Sequence, residues 1–215
     1  MALGNSLNTF FDHIFCVNLD RRPDKWALCL EEFAKWGIEA ERFPAIEGSL
    51  YWLPRHRVPP GSIGNCMSKI DIIKLAIERK YRSVLILEDD VEFAEDFQHK
   101  FTDWSREVPS NWDMFWIGGN HNLWKPGDYR GVVMVSEHIM RLNNTYSSHA
   151  FALKDTVYDM VLKALEPLEP QDDIILADIQ KKTNAYGFRP NLAFQRPGIS
   201  DVHNIHTDYS FMRDQ

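Results

Sequence analysis

The chain is expected to fold as an α/β protein, an open, mixed and mostly parallel sheet flanked by helices. Three observations carry this. Residues 13–19 and 83–87 are short apolar runs rich in strand formers, without the alternation of a half-exposed sheet, as in strands covered on both faces. Between them, residues 23–36 and 67–77 space apolar side chains three to four apart, as helices packed on a sheet do. Strand, helix, strand, helix and strand therefore follow one another at the intervals of crossover-linked strands. A length of 215 residues, 44% hydrophobic and 13% aromatic, supplies one sizeable core, and no repeat or low-complexity linker divides it. A single domain over 1–215 is expected.

The first strand is placed at 13–19. Pro23 suits a first helical position, Asp24 a first turn and Gly37 a helix end, and Trp26, Leu30, Phe33 and Trp36 make one stripe between them. A short strand around Arg42 and Phe43 precedes a loop over 47–64. A second helix then turns Met67, Ile70, Ile73 and Ile77 inward and leads to the strand at 83–87. Beyond Asp90 the expectations are a helix over 93–104, a strand over 112–117 stopped by Gly118 and Gly119, a loop over 120–129 and a strand over 132–135. Helices over 155–165 and 171–182 and an irregular stretch over 190–210 complete the chain. Trp112 and Trp116 are read as core residues on one strand face, and Trp124, in a loop with Asn120 and His121, as a stacking platform for a ligand or part of a lid.

The strand at 83–87 ends in Glu88, Asp89 and Asp90. In open α/β sheets the ligand crevice lies beyond the carboxyl ends of the strands. Continued alternation puts Glu88 and Asp90 on one face and Asp89 on the other. Two carboxylates aimed at one point call for a hard cation, Mg²⁺ or Mn²⁺; acids welcoming a helix N-terminus are the alternative. Where the first strand meets the first helix, Arg21 and Arg22 offer guanidinium forks for phosphate, unless they serve only to pair local aspartates. No GxGxxG or GxxxxGK[ST] pattern is present. A net charge of −7 argues against a nucleic-acid partner. Cys16, Cys29 and Cys66 show no CxxC spacing and read as free thiols of a reducing compartment. No apolar stretch reaches the length of a membrane span and the N-terminus lacks signal-peptide character, so the expected location is the cytoplasm, with work at a membrane's periphery open to it.

Several segments together, in order, resemble glycosyltransferase family 25, the lipopolysaccharide and collagen galactosyltransferase-like group. They are Phe15-Cys16-Val17-Asn18-Leu19-Asp20-Arg21-Arg22-Pro23-Asp24, Phe43-Pro44-Ala45-Ile46-Glu47-Gly48, Gly61-Ser62-Ile63-Gly64-Asn65-Cys66-Met67-Ser68 and Leu85-Ile86-Leu87-Glu88-Asp89-Asp90-Val91. Ser148-His149-Ala150-Phe151, Pro170-Gln171-Asp172, Gln195 and Ser200-Asp201 follow. The resemblance implies a GT-A type fold, with a nucleotide-binding half over about 11–120 and an acceptor-side half over about 121–215. It further implies a UDP-sugar donor, a divalent cation (Mn²⁺ or Mg²⁺), and a glycan, glycolipid or glycoprotein acceptor.

Carried over residue by residue, the resemblance puts Asp90 on the metal and Glu88 beside it, directly or through water or ribose. His203 is the further metal ligand, with His206 its competitor. Val17, Asn18, Asp20, Arg21, Arg22, Ser68, Lys69, Asp89 and His149 fall to the nucleotide-sugar. Where the family commonly has Ser-His this chain has Ser68-Lys69, and Lys69 is either a phosphate contact or solvated. Inverting transfer to a hydroxyl needs a base opposite the leaving group. Asp172, in the Pro-x-Asp segment, is the candidate, with Asp173 and Asp178 in reserve, although acids in a first helical turn also suit capping. Two other readings stand beside this one. A nucleotidyltransferase would call for a Gly-rich loop after the first strand, which residues 18–24 lack; an inactive fold kept as a binding module is the other.

Overall fold

The computed structural model describes residues 6–121 and 133–214. A one-turn helix α1 (Leu7–Phe10) leads into β1 (His13–Asn18), α2 (Pro23–Trp36) and β2 (Glu41–Pro44). Pro23 opens α2 and Gly37, at φ +64°, closes it, so both ends follow the sequence signals. Helix α3 (Pro60–Glu78) begins earlier than the sequence suggests, with Pro60 in its first turn, and delivers the chain to β3 (Ser83–Glu88). Next come β4 (Val91–Phe93), α4 (Phe97–Trp104), β5 (Met114–Asn120), β6 (Val133–Met134), β7 (Ile139–Arg141) and β8 (Tyr146–Lys154). Then α5 (Tyr158–Leu165), α6 (Asp172–Gln180), β9 (Ala185–Phe188), β10 (Ala193–Gln195), β11 (Gly198–Ile199) and β12 (His206–Thr207) follow.

Eight strands form one mixed sheet in the order β2-β1-β3-β8-β5-β9-β7-β6. The pairings make six of the eight point the same way, with β8 and β7 reversed. This is the open, mostly parallel, helix-flanked architecture expected of a GT-A type transferase. Alternate residues of the central strands serve opposite cores. Cys16, Leu85, Leu87, Phe115 and Ile117 pack on one face; Phe15, Val17, Ile86, Trp116 and Phe151 pack on the other with α3, α5 and α6. Both sides being covered explains the continuous apolar runs.

Several elements depart from expectation. In α2, Cys29 and Phe33 face the core while Leu30 is half exposed, and in α3 Ile77 is exposed while Cys66, Ile70 and Ile73 are buried. The helix expected from Phe93 begins only at Phe97, because β4 pairs with β10 and Asp96, at φ +58°, interrupts the backbone before α4. Strand β5 runs through Gly118 and Gly119 to Asn120. Trp112 and Trp116 are both buried, but in opposite cores, since Trp112 sits in the turn before β5 and escapes strand alternation. Strands β7 and β8 lie where none was expected, and the stretch over 190–210 holds three short strands. Trp124 lies outside the described residues. Cys16, Cys29 and Cys66 are free and buried, and among the described residues no helix is long and apolar enough to cross a membrane.

Candidate active site

Because β1, β2 and β3 are parallel, their carboxyl ends share one edge, with Val17 opposite Glu88 and Asn18 opposite Pro44. The reversed strand β8 brings its start, Ser147 and Ser148, to the same edge, and β10 sets Gln195 beside Val91. The first turns of α3 and α6 close the ring. The resulting cleft, about 1040 Å³ including its open mouth, is lined by Glu88, Asp89 and Asp90 together with Arg21, Lys25, Asn65, Asp172, Asp173 and Asp201, among others.

Strand β3 ends at Glu88 and Asp89-Asp90 form a turn, so strand alternation does not govern the acidic triplet. Glu88 turns toward α3 and α6, where Lys69 Nζ donates to its Oε1 at 2.9 Å and Asn65 Nδ2 at 3.2 Å. Asp89 turns toward α2: Asn18 Nδ2 donates to it at 2.7 Å and Lys25 Nζ lies at 3.3 Å. Asp90 has a buried oxygen, Oδ1, with no hydrogen-bond partner. Burial would raise the Glu88 carboxyl, but the Lys69 ammonium overrides it and holds the group at about 2. Burial and the charge of Glu88 push Asp90 up to about 7. Of two neighbouring carboxylates, Glu88 is compensated by Lys69, while Lys25 and Gln195 offset the burial of Asp90 only in part.

Lys69 is fully buried, not solvated. Its ammonium joins Glu88, Asp172 and, at 2.6 Å, the Ser148 hydroxyl. Burial works against its charge, yet Asp172 and Glu88 together raise its proton affinity. Asp172 is thereby engaged: Oδ2 takes Lys69 and the Ser148 hydroxyl at 2.6 Å, and Oδ1 takes Asn65 at 3.3 Å. Next to it, Asp173 accepts the Ser147 amide at 3.3 Å on Oδ2, while its Oδ1 is buried without a partner. Burial, then the charge of Asp172, raises the Asp173 carboxyl. Asp178 points away from the cleft and pairs with Lys181 at 2.7 Å on the surface.

The remaining expected residues separate into three groups. Val17, Arg21, Ser68 and His203 line the cleft. Asn18, Arg22 and His149 stand behind its wall. Asn18 is spent on Asp89, the Arg22 carbonyl and Arg42. His149 is fully buried, bonds the Ala193 carbonyl at 3.2 Å, and is driven by burial down to about 4. Asp20 is exposed, paired to Arg42, and takes no part in the lining. Ser68 spends its hydroxyl on the Gly64 carbonyl and the Ile46 amide. His206 is exposed on β12, outside the lining.

Among the described residues, no three His, Cys, Asp or Glu side chains are gathered as a metal-ligand set, so Glu88, Asp90 and His203 are not assembled as one. The donor chemistry still fits a hard cation at Asp90, whose orphaned oxygen and raised proton affinity mark a missing counter-charge. Glu88 offers less, because Lys69, Asn65 and Ser148 all contact its Oε1.

The sequence reading missed Lys25 altogether, and it matched Asp201 to the family without its ion-pairing role. Lys25 bridges Asp89 and Asp201; a cation in a first helical turn opposes the helix dipole, which was the available signal. Asp201, in the β11–β12 connection, receives Arg21 at 2.7 Å, Lys25 at 2.8 Å and Arg22. Nothing local in residues 198–207 announces that role.

Comparison with known proteins supplies the context. The family described as "Glycosyltransferase family 25 (LPS biosynthesis protein)" matches residues 11–164. A Drosophila melanogaster "Glycosyltransferase 25 family member" is 33% identical over 105 residues, covering 40% of this chain and 17% of that protein. The "Procollagen lysyl hydroxylase and glycosyltransferase" of Acanthamoeba polyphaga mimivirus is 27% identical over 203 residues, 81% of this chain and 22% of that one. A solved glycosyltransferase involved in glycosylation of the major capsid of PBCV-1 aligns with a TM-score of 0.42 at 11% identity, over 73% of this chain and 66% of that one. The chain thus spans about a fifth of the length of these curated relatives. With the family pattern matched across most of its sheet and through the acidic strand end, the chain belongs to glycosyltransferase family 25.

Proposed function

We propose that the cleft carries out metal-dependent, inverting transfer of a hexose, galactose or glucose, from a UDP-sugar to a hydroxyl of a glycan, glycolipid or glycoprotein. The observation that carries this is the buried, partnerless oxygen of Asp90 at the floor of the cleft. A mouse relative named "Procollagen galactosyltransferase 2", 28% identical over 129 residues, supports galactose as the first sugar to test.

Mn²⁺ or Mg²⁺ would be held by Asp90, with Glu88 and His203 the nearest further candidates, and when bound supplies Lewis-acid stabilisation of the leaving diphosphate. The chain's own cations do the rest of the charge work. Arg21 and Lys25 line the cleft and can turn to the phosphates, and Lys69 pairs with Asp172 and holds Glu88 as an anion. Asp172 is where the family motif puts the base, but Lys69, Ser148 and Asn65 already occupy both its oxygens. Asp173, with its raised proton affinity and free oxygen, is the better group to take the acceptor's proton, and Asp172 keeps that affinity raised.

Calorimetric titration of UDP-galactose and UDP-glucose, with and without Mn²⁺, tests the reading. Wild type should bind in a metal-dependent way and Asp90→Ala should not. Preference for ATP or CTP over every UDP-sugar would favour the nucleotidyltransferase. Asp173→Asn should keep donor affinity and lower kcat by about 100-fold or more, the usual contribution of a general base. If Asp172→Asn alone has that effect, the two carboxylates exchange roles.

A further inference from the structure

We propose that the exposed segment 50–57, on the rim of the cleft, is a docking surface for an anionic lipid bilayer. Four large apolar or aromatic side chains stand in succession in solvent: Leu50 is 77% exposed, Tyr51 52%, Trp52 36% and Leu53 42%. Single exposed apolar residues are ordinary; a consecutive quartet with two aromatics is not. The segment is also held in shape. The Tyr51 and Trp52 amides bond the Gly48 carbonyl at 3.1 and 2.9 Å, and the Trp52 indole donates to the Val58 carbonyl at 2.9 Å. The Leu53 amide bonds His56 Nδ1 at 3.0 Å, and the Arg57 amide bonds Glu169 at 2.7 Å. The apolar groups face outward on an ordered turn.

Charge selects the occupant. The protein carries a net −7, and Arg21, Arg22, Arg42, Arg79 and Arg82 are each tied to a carboxylate. Arg55 and Arg57, immediately after the apolar quartet, make no ion pair among the described residues. Two guanidiniums that form no ion pair among the described residues, beside an apolar and aromatic tip, match a bilayer with anionic headgroups. Leucine side chains enter the acyl boundary, Tyr and Trp rings sit at headgroup level, and arginines meet lipid phosphate. Glu47 and Gly48 before the segment and Gly61 and Ser62 after it line the cleft, so docking here sets the cleft's mouth against the membrane. The inference does not depend on which donor or metal the cleft takes.

Co-sedimentation with vesicles of phosphatidylcholine, with and without phosphatidylglycerol, tests it on the whole chain. Wild type should pellet with the anionic vesicles, and raised salt should release much of it. Arg55→Glu/Arg57→Glu should lower partitioning by at least about 25-fold, since one basic residue near such a surface is worth roughly a factor of five. Leu50→Ser/Leu53→Ser should also release it, and both variants should keep the wild-type melting temperature and UDP affinity. Wild type left in the supernatant with both vesicles, or variants that pellet as well as wild type, would overturn the proposal. So would a wild-type dimer that Leu50→Ser/Leu53→Ser converts to monomer, which would make a second copy the occupant.

Discussion

His121 shows how far one side chain's setting can depart from what its sequence neighbourhood suggests. Next to Asn120 and near Trp124 it reads as part of a sugar-binding loop; the structure buries it between Thr145 Oγ1 at 3.0 Å and Asn191 Oδ1 at 2.8 Å. Because Asn191 spends its amide protons on the Gly119 and Met212 carbonyls, its oxygen must accept, so His121 carries a proton on Nε2. Burial drives the imidazole down to about 3, against the Asn191 bond that raises it. Below the ordinary value of 6.5 the unfolded chain takes up a proton that the folded one refuses, so His121 costs stability as pH falls from 6.5 toward 3. His121→Gln should be about 1–2 kcal/mol less stable than wild type at pH 7 for its imperfect hydrogen bonds. That gap should shrink by about 1.4 kcal/mol per pH unit below pH 6, vanish and then reverse in sign before pH 4. Urea unfolding of both proteins across that range gives the answer, and a gap independent of pH would show that His121 is not buried neutral.

At the scale of elements, the first half of the chain was legible because its signals agree. In α2, Pro23, Gly37 and the apolar period all indicate one helix, and the runs before and after it can only be buried strands. Strand β8 was illegible for a functional reason. It crosses the centre of the sheet, but near its start Ser147 and Ser148 line the cleft, and Ser148 joins the Lys69 network, so polar residues interrupt the strand pattern there. Gly118 misled in the opposite way. Glycine normally stops a strand, yet here it lets β5 pass against β10, where an added Cβ would come within 1.8 Å of the Ala193 carbonyl oxygen. Gly118→Ala must push backbone against backbone and should cost about 2–3 kcal/mol, while Gly198→Ala, with nothing within 4 Å of its Cβ, should change stability by less than about 0.5 kcal/mol. Thermal unfolding of the pair decides it: equal effects would mean the β5–β10 crossing is looser than the backbone indicates.

Across the whole molecule, charge is distributed unevenly, and that distribution is what the sequence hides most completely. The family match ends at residue 164, yet the cleft draws Asp172, Asp173, Gln195, Asp201 and Tyr209 from beyond it. Of these, Asp201 ties the late β11–β12 hairpin to the start of α2 by facing Arg21, Arg22 and Lys25 at once. A carboxylate in that position stabilises the fold but competes with any anion the same cations would receive. If Arg21 and Lys25 serve the donor phosphates, removing the charge of Asp201 should move stability and affinity in opposite directions. Asp201→Asn loses three partly buried ion pairs and should unfold at lower denaturant, by about 1–3 kcal/mol. It should also bind UDP several-fold more tightly, and the gain should shrink in high salt, because it arises from the field of the freed cations. Calorimetry with UDP at two ionic strengths, beside urea unfolding, separates the two effects. Weaker UDP binding by Asp201→Asn would instead mean that the hairpin must stay latched for the nucleotide to be held, and that Arg21 and Lys25 act as its anchors and not as phosphate ligands.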